Sequence, residues 1–221
     1  PGRIQAVFFD IDGTLVDSNE HHVTAWDVAF RDAGHAVDPA AIRGQIGKGG
    51  DLLVPTLLPE VAKSEIDALS DAHGKAFKRR HLGRITPFAE ASALLRHTHR
   101  RGQRVVLASS ADGKEVAHYI KLLKVRDIVD ATTSIDDVET SKPAGDIFAA
   151  ALKKVRLAPD EVIVVGDTPY DVEAAMKCGI DAIGVLSGGF DEAVLRGAGA
   201  VAVYDDVAAL LADYARSPLA G

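Results

Sequence analysis

The chain has 221 residues, of which 47% are hydrophobic, 26% are charged and 5% are aromatic. This balance supports a buried core and excludes disordered and fibrous proteins. The net charge of −7 disfavours nucleic acids and anionic membranes as partners, because both are polyanions. Cys178 is the only cysteine, so the chain cannot form an internal disulfide. No stretch reaches the roughly 20 apolar residues of a membrane span, and residues 1–30 lack a signal-peptide pattern. We therefore expect a soluble cytoplasmic protein.

Short apolar runs rich in β-forming residues recur along the chain and predict the strands of a sheet. The first run covers residues 4–9 and ends directly at Asp10. Later runs cover residues 105–108, 162–165 and 182–186, with a weaker one at residues 200–204. Helical patterns lie between the runs, at residues 89–101, 147–155 and 170–177. Strands that alternate with helices predict an α/β fold with a Rossmann-like, doubly wound parallel sheet.

Residues 18–84 interrupt this alternation. They contain no convincing strand but several amphipathic helical stretches, such as residues 23–33 and 61–80. The interruption follows the first strand, where an α/β fold ordinarily has a single crossover helix. We therefore predict a Rossmann-like core of residues 1–17 and 85–221, and an all-helical cap of residues 18–84 inserted over the carboxyl edge of the sheet. The hinges are expected near Asp17 and residues 84–87.

Carboxylates follow two of the predicted strands. Asp10 and Asp12 come directly after the first strand, and Asp167 follows the strand at residues 162–165. The carboxyl ends of parallel strands meet at one edge of a sheet, where ligands bind, and carboxylate oxygens suit a hard cation such as Mg²⁺. Each acid has a simpler explanation as a solvated turn or a helix N-cap. Two strands that deliver acids to one edge nevertheless favour a shared metal site.

A hydroxyl and an ammonium group complete the candidate site. Ser109 follows the strand at residues 105–108, and Lys142 precedes a predicted helix. Taken singly, such a serine is most often a helix cap and such a lysine a solvated surface charge. Beside carboxylates and a dication, the same two groups are what an incoming phosphate requires.

Four motifs of this chain resemble, in order and in strand context, those of the haloacid dehalogenase superfamily. They are Asp10-Ile11-Asp12-Gly13-Thr14, Ser109, Lys142-Pro143 and residues 166–171. The resemblance covers residues 5–17 and 85–210. The predicted insertion lies where the phosphoglycolate-phosphatase and beta-phosphoglucomutase-like members carry their cap.

The resemblance implies a role for each acid. Asp10 is expected to be the nucleophile that takes the phosphoryl group as an aspartyl phosphate. Mg²⁺ is expected to be held by the Asp10 carboxylate, the Asp12 backbone carbonyl and Asp167, where it offsets the repulsion between carboxylate and phosphate. Asp12 is expected to protonate the leaving oxygen and then to deprotonate the attacking water.

The same resemblance implies supporting residues around the phosphate. Ser109 and Lys142 are expected to hold its non-bridging oxygens, with Thr14 nearby. Asp171 is expected to lie behind them and to orient Lys142 or a metal-bound water.

Asp12 also separates the reactions known in the superfamily. True haloacid dehalogenases lack this acid, because halide leaves without a proton, whereas a departing alkoxide benefits from one. We therefore predict a Mg²⁺-dependent phosphohydrolase whose partner is a small phosphorylated metabolite of sugar phosphate or phosphoglycolate type, with no obligate protein partner. The alternatives are a beta-phosphoglucomutase-like phosphomutase, an inorganic pyrophosphatase and, outside the enzymes, a degenerate phosphate-binding regulatory module.

Two polar residues of the predicted cap are candidates for substrate binding. His22 shares a helix face with Trp26, four residues on. In beta-phosphoglucomutases, which this stretch resembles, a histidine at this position meets the substrate, and packing against Trp26 is the competing explanation. Lys48 lies in the glycine-rich stretch 47–50, which is not a Walker loop and is otherwise a flexible turn with an exposed lysine. Ser18 is expected to N-cap the first cap helix.

Overall fold

The computed structural model describes residues 3–220, so residues 1, 2 and 221 of the predicted core lie outside the described residues. The strands are β1 (Ala6–Phe9), β2 (Val16–Asp17), β3 (Thr86–Pro87), β4 (Arg104–Ala108), β5 (Val129–Thr133), β6 (Val162–Gly166), β7 (Asp181–Val185) and β8 (Ala202–Tyr204). The helices are α1 (Asn19–Asp32), α2 (Pro39–Arg43), α3 (Gly50–Leu57), α4 (Lys63–Arg80), α5 (Ala91–Arg100), α6 (Gly113–Leu123), α7 (Asp146–Val155), α8 (Pro169–Lys177), α9 (Glu192–Ala198) and α10 (Val207–Ala212). None of these helices, within residues 3–220, is both long and apolar enough to cross a lipid bilayer.

The main sheet is parallel and has the strand order β5-β4-β1-β6-β7-β8. β1 lies at its centre, where Phe9 is in register with Leu107 of β4 and with Val165 of β6. The chain first builds β4 and β5 on one side of β1 and then β6 to β8 on the other. This reversal creates a switch point at the carboxyl end of β1, the usual place for a ligand. The predicted Rossmann-like, doubly wound α/β fold is confirmed.

The central strand is apolar on both faces because the sheet is covered on both sides. Successive side chains of a strand point to opposite faces, so Val7 and Phe9 join one hydrophobic cluster and Ala6 and Phe8 join another. On the second face Phe8 stacks on Phe148 of α7 with ring centroids 6.4 Å apart. Each large apolar side chain buried in this way contributes roughly 1.5–3 kcal/mol. Polar side chains are therefore left to the ends of the strands.

Helices α1 to α4 form a third hydrophobic cluster of their own. Trp26 stacks on Phe30 within α1 with ring centroids 5.5 Å apart, and Leu53 of α3 and Leu69 of α4 belong to the same cluster. The antiparallel pair β2–β3 lies where the chain leaves the sheet and returns to it. We call residues 18–84 the helical segment.

The sequence patterns miss the two-residue strands β2 and β3 and, in the main sheet, β5. The reason for β5 is physical. Its sequence, VDATT, contains no apolar run, and most of it is only half buried because it forms an edge of the sheet. Its stability comes from pairing with β4, to which the Asp130 carboxylate adds by accepting from the Val105 N–H at 2.8 Å. Such a strand is specified by its neighbour rather than by its own composition.

Candidate active site

The loops that follow β1, β4 and β6 meet at the carboxyl edge of the sheet, and they carry Asp10, Ser109 and Asp167. The Asp10 N–H donates to the Val165 carbonyl at 2.9 Å, which ties the loop after β1 to the end of β6. The Ser109 N–H donates to the Thr133 carbonyl of β5 at 3.1 Å. The parallel register therefore brings together side chains that are distant in sequence.

Lys142 is buried beneath Asp10. Its ammonium lies 2.5 Å from Asp10 Oδ1 and 2.6 Å from Asp171 Oδ1, and it donates to the Ala108 carbonyl at 3.1 Å. Burial alone would lower the pKa of Lys142, but the two carboxylates outweigh it and raise the pKa above the ordinary value of a lysine. The lysine therefore stays charged although it is buried.

The Asp167 carboxylate is buried and held by two donors. The Thr14 hydroxyl donates to Oδ1 at 2.8 Å, and the Asn19 amide donates to Oδ2 at 3.0 Å. Two glycines give it room: a Cβ at Gly13, where φ is +78°, would lie 2.2 Å from Asp167 Oδ2, and a Cβ at Gly188 would lie 1.7 Å from it. Any larger residue at these two positions would displace the carboxylate.

Asp10, Asp167 and Asp171 form a compact cluster in which one oxygen of each carboxylate lies within 4.8 Å of the others. Burial, with the charge of Asp171, raises the pKa of Asp10 to about 7 against the opposing effect of Lys142. Burial, with the charge of Asp10, raises the pKa of Asp167 well above its ordinary value. Beside it, Asn19 Oδ1 is buried and has no hydrogen-bond partner within residues 3–220. A site with several carboxylate and amide oxygens that can ligate a metal, and with too little positive charge to balance its acids, fits a hard divalent cation.

Asp12 has different surroundings, in which three donors converge on one carboxylate oxygen. The hydroxyls of Ser18 and Tyr119 donate to Asp12 Oδ1 at 2.6 and 2.8 Å, and His22 Nε2 lies 3.1 Å from the same atom. In the described part of the chain no donor reaches Asp12 Oδ2. Ser18 occupies the N-cap position of α1 but makes no capping hydrogen bond. The predicted N-cap position is therefore correct, but the side chain does not cap the helix, because its hydroxyl donates to Asp12 instead.

Asp12 and His22 stabilise each other's charged forms. Burial alone would raise the pKa of Asp12, but the charge and hydrogen bond of His22, with the donors Ser18 and Tyr119, bring it below its ordinary value. Burial alone would lower the pKa of His22, and Asp12 outweighs that effect and raises it. The two side chains therefore form a partly buried ion pair of carboxylate and imidazolium.

A cavity of about 540 Å³ lies between the sheet edge and the helical segment. Of the predicted site residues, those that line it are Asp10, Asp12 and Ser109 from the sheet edge and His22 and Lys48 from the helical segment. The other predicted site residues lie behind Asp10 and do not line the cavity described within residues 3–220. They are Thr14, Lys142, Asp167 and Asp171. The cavity thus has an acidic floor supported by buried polar groups.

The glycine-rich loop between α2 and α3 closes one side of the cavity. The Gly49 N–H donates to the Ser141 hydroxyl at 2.9 Å, and the Ser110 hydroxyl donates to the Gly47 carbonyl at 3.1 Å. Ser110 and Ser141 adjoin Ser109 and Lys142 in sequence. The loop is therefore anchored on the same core loops that carry the candidate site residues.

The two candidates in the helical segment have unlike surroundings. The Lys48 ammonium lies 4.7 Å from the centroid of the Tyr170 ring, and burial lowers its pKa from the ordinary value of a lysine. His22 stacks on Phe77 of α4 with ring centroids 3.8 Å apart. The rings that stack on Trp26 are those of Phe30 and His73, so His22 does not have the packing partner that the sequence suggests.

Sequence reasoning misses three residues that support the site, namely Asn19, Tyr119 and Ser141. Asn19 and Ser141 directly adjoin residues that the sequence analysis names, and this adjacency is the signal that would have found them. Tyr119 lies in the amphipathic helix α6, where an aromatic ring indicates only core packing. It is 107 residues from Asp12, so no local pattern reveals the contact.

Acids at the carboxyl edge of a doubly wound sheet, facing helices inserted after its first strand, define an α/β protein with a ligand site at its topological switch point. The profile of the family described as haloacid dehalogenase-like hydrolase matches residues 7–185. This match spans most of the chain, and the protein belongs to the haloacid dehalogenase-like hydrolase family. The predicted resemblance to this family and the prediction of a hydrolase are thereby confirmed.

Known relatives extend over nearly the whole chain. A solved hydrolase from Pseudomonas syringae superposes with a TM-score of 0.90 at 32% identity, covering 96% of this chain and 98% of that one. A phosphoglycolate phosphatase from Rhodospirillum rubrum is 28% identical over 215 residues, covering 93% of this chain and 89% of its own length. The pyrophosphatase PpaX of Bacillus thuringiensis is 24% identical over 183 residues, covering 80% and 81%.

Proposed function

We propose that the protein is a Mg²⁺-dependent phosphatase that hydrolyses a small phosphomonoester through an aspartyl phosphate on Asp10. The observation that carries the proposal is that Asp10 and Asp12 open onto one cavity with unlike surroundings. Asp10 is backed by an ammonium and further carboxylates, whereas Asp12 is held on one oxygen by three donors. Two carboxylates in unlike surroundings are suited to unlike catalytic roles.

Asp10 and Asp12 share the two steps of the reaction. An oxygen of Asp10 bonds to phosphorus as the ester P–O bond breaks. Asp12, whose pKa is lowered in the resting site, first takes up a proton from solvent and then gives that proton to the leaving oxygen. Asp12 then takes a proton from water, whose oxygen bonds to phosphorus as the bond to Asp10 breaks and phosphate leaves. Because the three donors occupy Oδ1, Asp12 Oδ2 is the oxygen that carries the proton in both steps.

Mg²⁺ would be held by the carboxylates of Asp10 and Asp167 and by the Asp12 backbone carbonyl, with Asp171 in the same cluster. When bound, the cation supplies the positive charge that lets a carboxylate and a phosphate dianion approach and that favours the ionised form of Asp10. Thr14 holds the Asp167 carboxylate through its hydrogen bond, so this ligand is oriented in advance.

Ser109 and Lys142 are the groups that bind the non-bridging phosphoryl oxygens in this proposal, with Thr14 nearby. Ser109 Oγ accepts from the Ala111 N–H at 3.0 Å, which leaves its own O–H free to donate into the cavity. Lys142 carries its charge directly behind Asp10. Charge-assisted hydrogen bonds of this kind are about twice as strong as neutral ones.

We further propose that residues 18–84 act as a cap over a catalytic core of residues 1–17 and 85–221. The contacts of the glycine-rich loop with Ser110 and Ser141 support closure of the cavity. His22 and Lys48 line the cavity on the side of the helical segment, where they would face the part of the ester that lies beyond the phosphate. Relatives named for phosphoglycolate and pyrophosphate hydrolysis support a small phosphorylated substrate, and the cytoplasmic location expected from composition stays part of this proposal.

The test is phosphate release from a panel of esters that includes phosphoglycolate, sugar phosphates and p-nitrophenyl phosphate. We expect release with Mg²⁺, none with EDTA, and recovery when Mg²⁺ is restored. Asp10→Asn keeps the shape of the side chain and serves as the matched inactive control. Failure of the folded protein to release phosphate from any ester with Mg²⁺, Mn²⁺ or Co²⁺ would contradict the proposal.

The same panel distinguishes the alternative functions. Preferential cleavage of pyrophosphate would indicate a pyrophosphatase. Conversion of glucose 1-phosphate to glucose 6-phosphate without release of phosphate would indicate a phosphomutase. Binding of phosphate without any turnover would indicate a binding module.

A further inference from the structure

The proposed reaction does not use His73 of α4, although this residue lines the cavity beside His22. Two ring stacks surround it. Trp26 stacks on His73 with centroids 4.1 Å apart and planes 8° apart, and His22 stacks on Phe77 with centroids 3.8 Å apart and planes 11° apart. α1 and α4 each supply two rings four residues apart, which places each pair on one helix face. The interleaved rings fix the two helices against each other beside Asp12.

A hydrogen bond joins the two stacks and extends the contacts of Asp12. His22 Nδ1 lies 3.2 Å from His73 Nε2, and His22 Nε2 lies 3.1 Å from Asp12 Oδ1. Asp12 Oδ1 accepts from the hydroxyls of Ser18 and Tyr119, so the His22 nitrogen that faces the same oxygen is also a donor and carries a hydrogen. The other nitrogen of the same ring is engaged by His73. A ring held at both nitrogens cannot turn or flip without losing a hydrogen bond.

We propose that His73 is a positioning residue that holds the His22 ring so that its Nε2–H stays on Asp12 Oδ1. The inference rests on the proposed function, in which Asp12 transfers the proton. With Oδ1 held, the other carboxylate oxygen stays aimed into the cavity. Loss of the His73 nitrogen lets the His22 ring turn and lets Asp12 leave its productive orientation. The expected consequence is a slower chemical step without weaker substrate binding.

Packing alone is the competing explanation for His73, and two substitutions separate the roles. His73→Phe keeps a flat ring on Trp26 but removes the nitrogen. His73→Gln gives up the ring but keeps a side-chain amide that can bond to His22. We expect His73→Phe to slow single-turnover phosphoryl transfer from an alkyl phosphate roughly 3- to 10-fold, the effect of one lost hydrogen bond, with KM unchanged. Transfer from p-nitrophenyl phosphate should slow less, because that leaving group needs no proton, and His73→Gln should recover most of the rate.

The pair of His21 and His81 supplies a matched control. These rings join the same helical elements, with Nδ1 atoms 3.0 Å apart, and neither is hydrogen-bonded to Asp12 in the chain from residue 3 to residue 220. His81→Phe is therefore the same chemical change at the end of α4. It should leave both rates and KM at wild-type values.

Nitrogen NMR of the His22 ring gives a readout that does not depend on turnover. We expect His73→Phe to shift the Nδ1 resonance of His22 in EDTA-treated protein and His81→Phe to leave it in place. His73→Leu, which also lacks the nitrogen, replaces His73→Phe if that variant does not fold.

The inference is overturned if the variants without nitrogen behave like His81→Phe in either readout, or if His73→Gln is as slow as His73→Phe in single turnover. If the wild type releases no phosphate from any ester, the proposed function fails. The NMR comparison then still decides whether His73 orients His22.

Discussion

The ammonium of Lys142 lies 2.5 Å from Asp10 Oδ1, and the two side chains are only 1% and 8% exposed. They are 132 residues apart in sequence. The same ammonium lies 2.6 Å from Asp171 Oδ1, so one buried cation faces two buried carboxylates. Removal of one partner from a buried ion pair leaves a charge that neither water nor protein stabilises.

Lys142→Met should therefore abolish phosphate release and also lower the free energy of unfolding. We expect a loss of roughly 3–5 kcal/mol in EDTA, measured by urea denaturation at a pH near 8. Lys154→Met is the matched control, because Lys154 pairs with Asp137 at 2.8 Å but is 40% exposed. That substitution should cost no more than about 1 kcal/mol. Equal losses in the two variants would argue against a special role for the buried pair.

Asp10→Asn should lower turnover by about 10³-fold or more, because the covalent route is lost outright. Burial raises the pKa of Asp10 to about 7, so a neutral amide removes an unfavourable buried charge near pH 8. The Lys142 ammonium keeps Asp171 as its partner, so the variant should be at least as stable as the wild type. Thermal unfolding checks that the lost activity does not reflect lost structure. Retention of more than a few per cent of wild-type turnover would be incompatible with an aspartyl phosphate.

Asp12→Asn should separate proton transfer from nucleophilic attack. Esters with alkoxide leaving groups should be almost inert, whereas p-nitrophenyl phosphate should still phosphorylate Asp10, because its phenolate leaves without a proton. Attack by water then lacks its base, so we expect a phosphorylated protein to accumulate in intact-mass spectra. Equal loss on both substrates, with no phosphoryl adduct, would count against Asp12 as the acid and base.

Lys48→Ala tests recognition of the substrate by the helical segment. If Lys48 binds the part of the ester beyond the phosphate, kcat/KM on the best substrate should fall roughly 10- to 150-fold, the effect of a lost charged hydrogen bond worth ~1.5–3 kcal/mol. The value for p-nitrophenyl phosphate should stay near that of the wild type. Lys63→Ala, at an exposed lysine that pairs with Asp67 on α4, is the control. If the ratio of kcat/KM on the best substrate to kcat/KM on p-nitrophenyl phosphate stays at the wild-type value, Lys48 is a surface residue of the loop that does not bind substrate.

Glu115 of α6 is a buried acid that the proposed reaction does not use. Burial raises the pKa of its carboxyl from 4.5 to about 7, with the charge of His22 opposing the shift. The folded protein therefore holds this proton more tightly than the unfolded chain does. The stability that follows is fully present below pH 4.5 and is lost as the pH rises through about 7.

Glu115→Gln should remove this pH dependence, because the amide stays neutral. Between about pH 5 and pH 8 the wild type should lose roughly 1–3 kcal/mol of unfolding free energy relative to the variant. Urea denaturation of both proteins at the two pH values measures the difference. If the unfolding free energies of the two proteins change equally between these pH values, Glu115 is already ionised in the folded state at the lower pH.

The floor of the candidate site could be predicted because its signals are local. At Asp10 and Asp167 an apolar run ends abruptly in a carboxylate, and parallel strands bring such ends to one edge. The helical segment was also visible, as a break in the alternation of strands and helices. The roles of Ser109 and Lys142 came from the order of the motifs and their resemblance to a family, since neither residue type indicates a role by itself.

The sequence by itself determined the class of fold and the carboxylates at the sheet edge, because hydrophobic periodicity and strand-end carboxylates are properties of short stretches. Only the tertiary structure decided which side chains serve those carboxylates. The hydroxyl of Tyr119 reaches Asp12 across 107 residues of sequence, and His73 reaches His22 across 51. Such contacts depend on how helices pack, which the pattern of one chain does not encode locally. The edge strand β5 was decided in the same way, because its pairing with β4 outweighs its own weak preference.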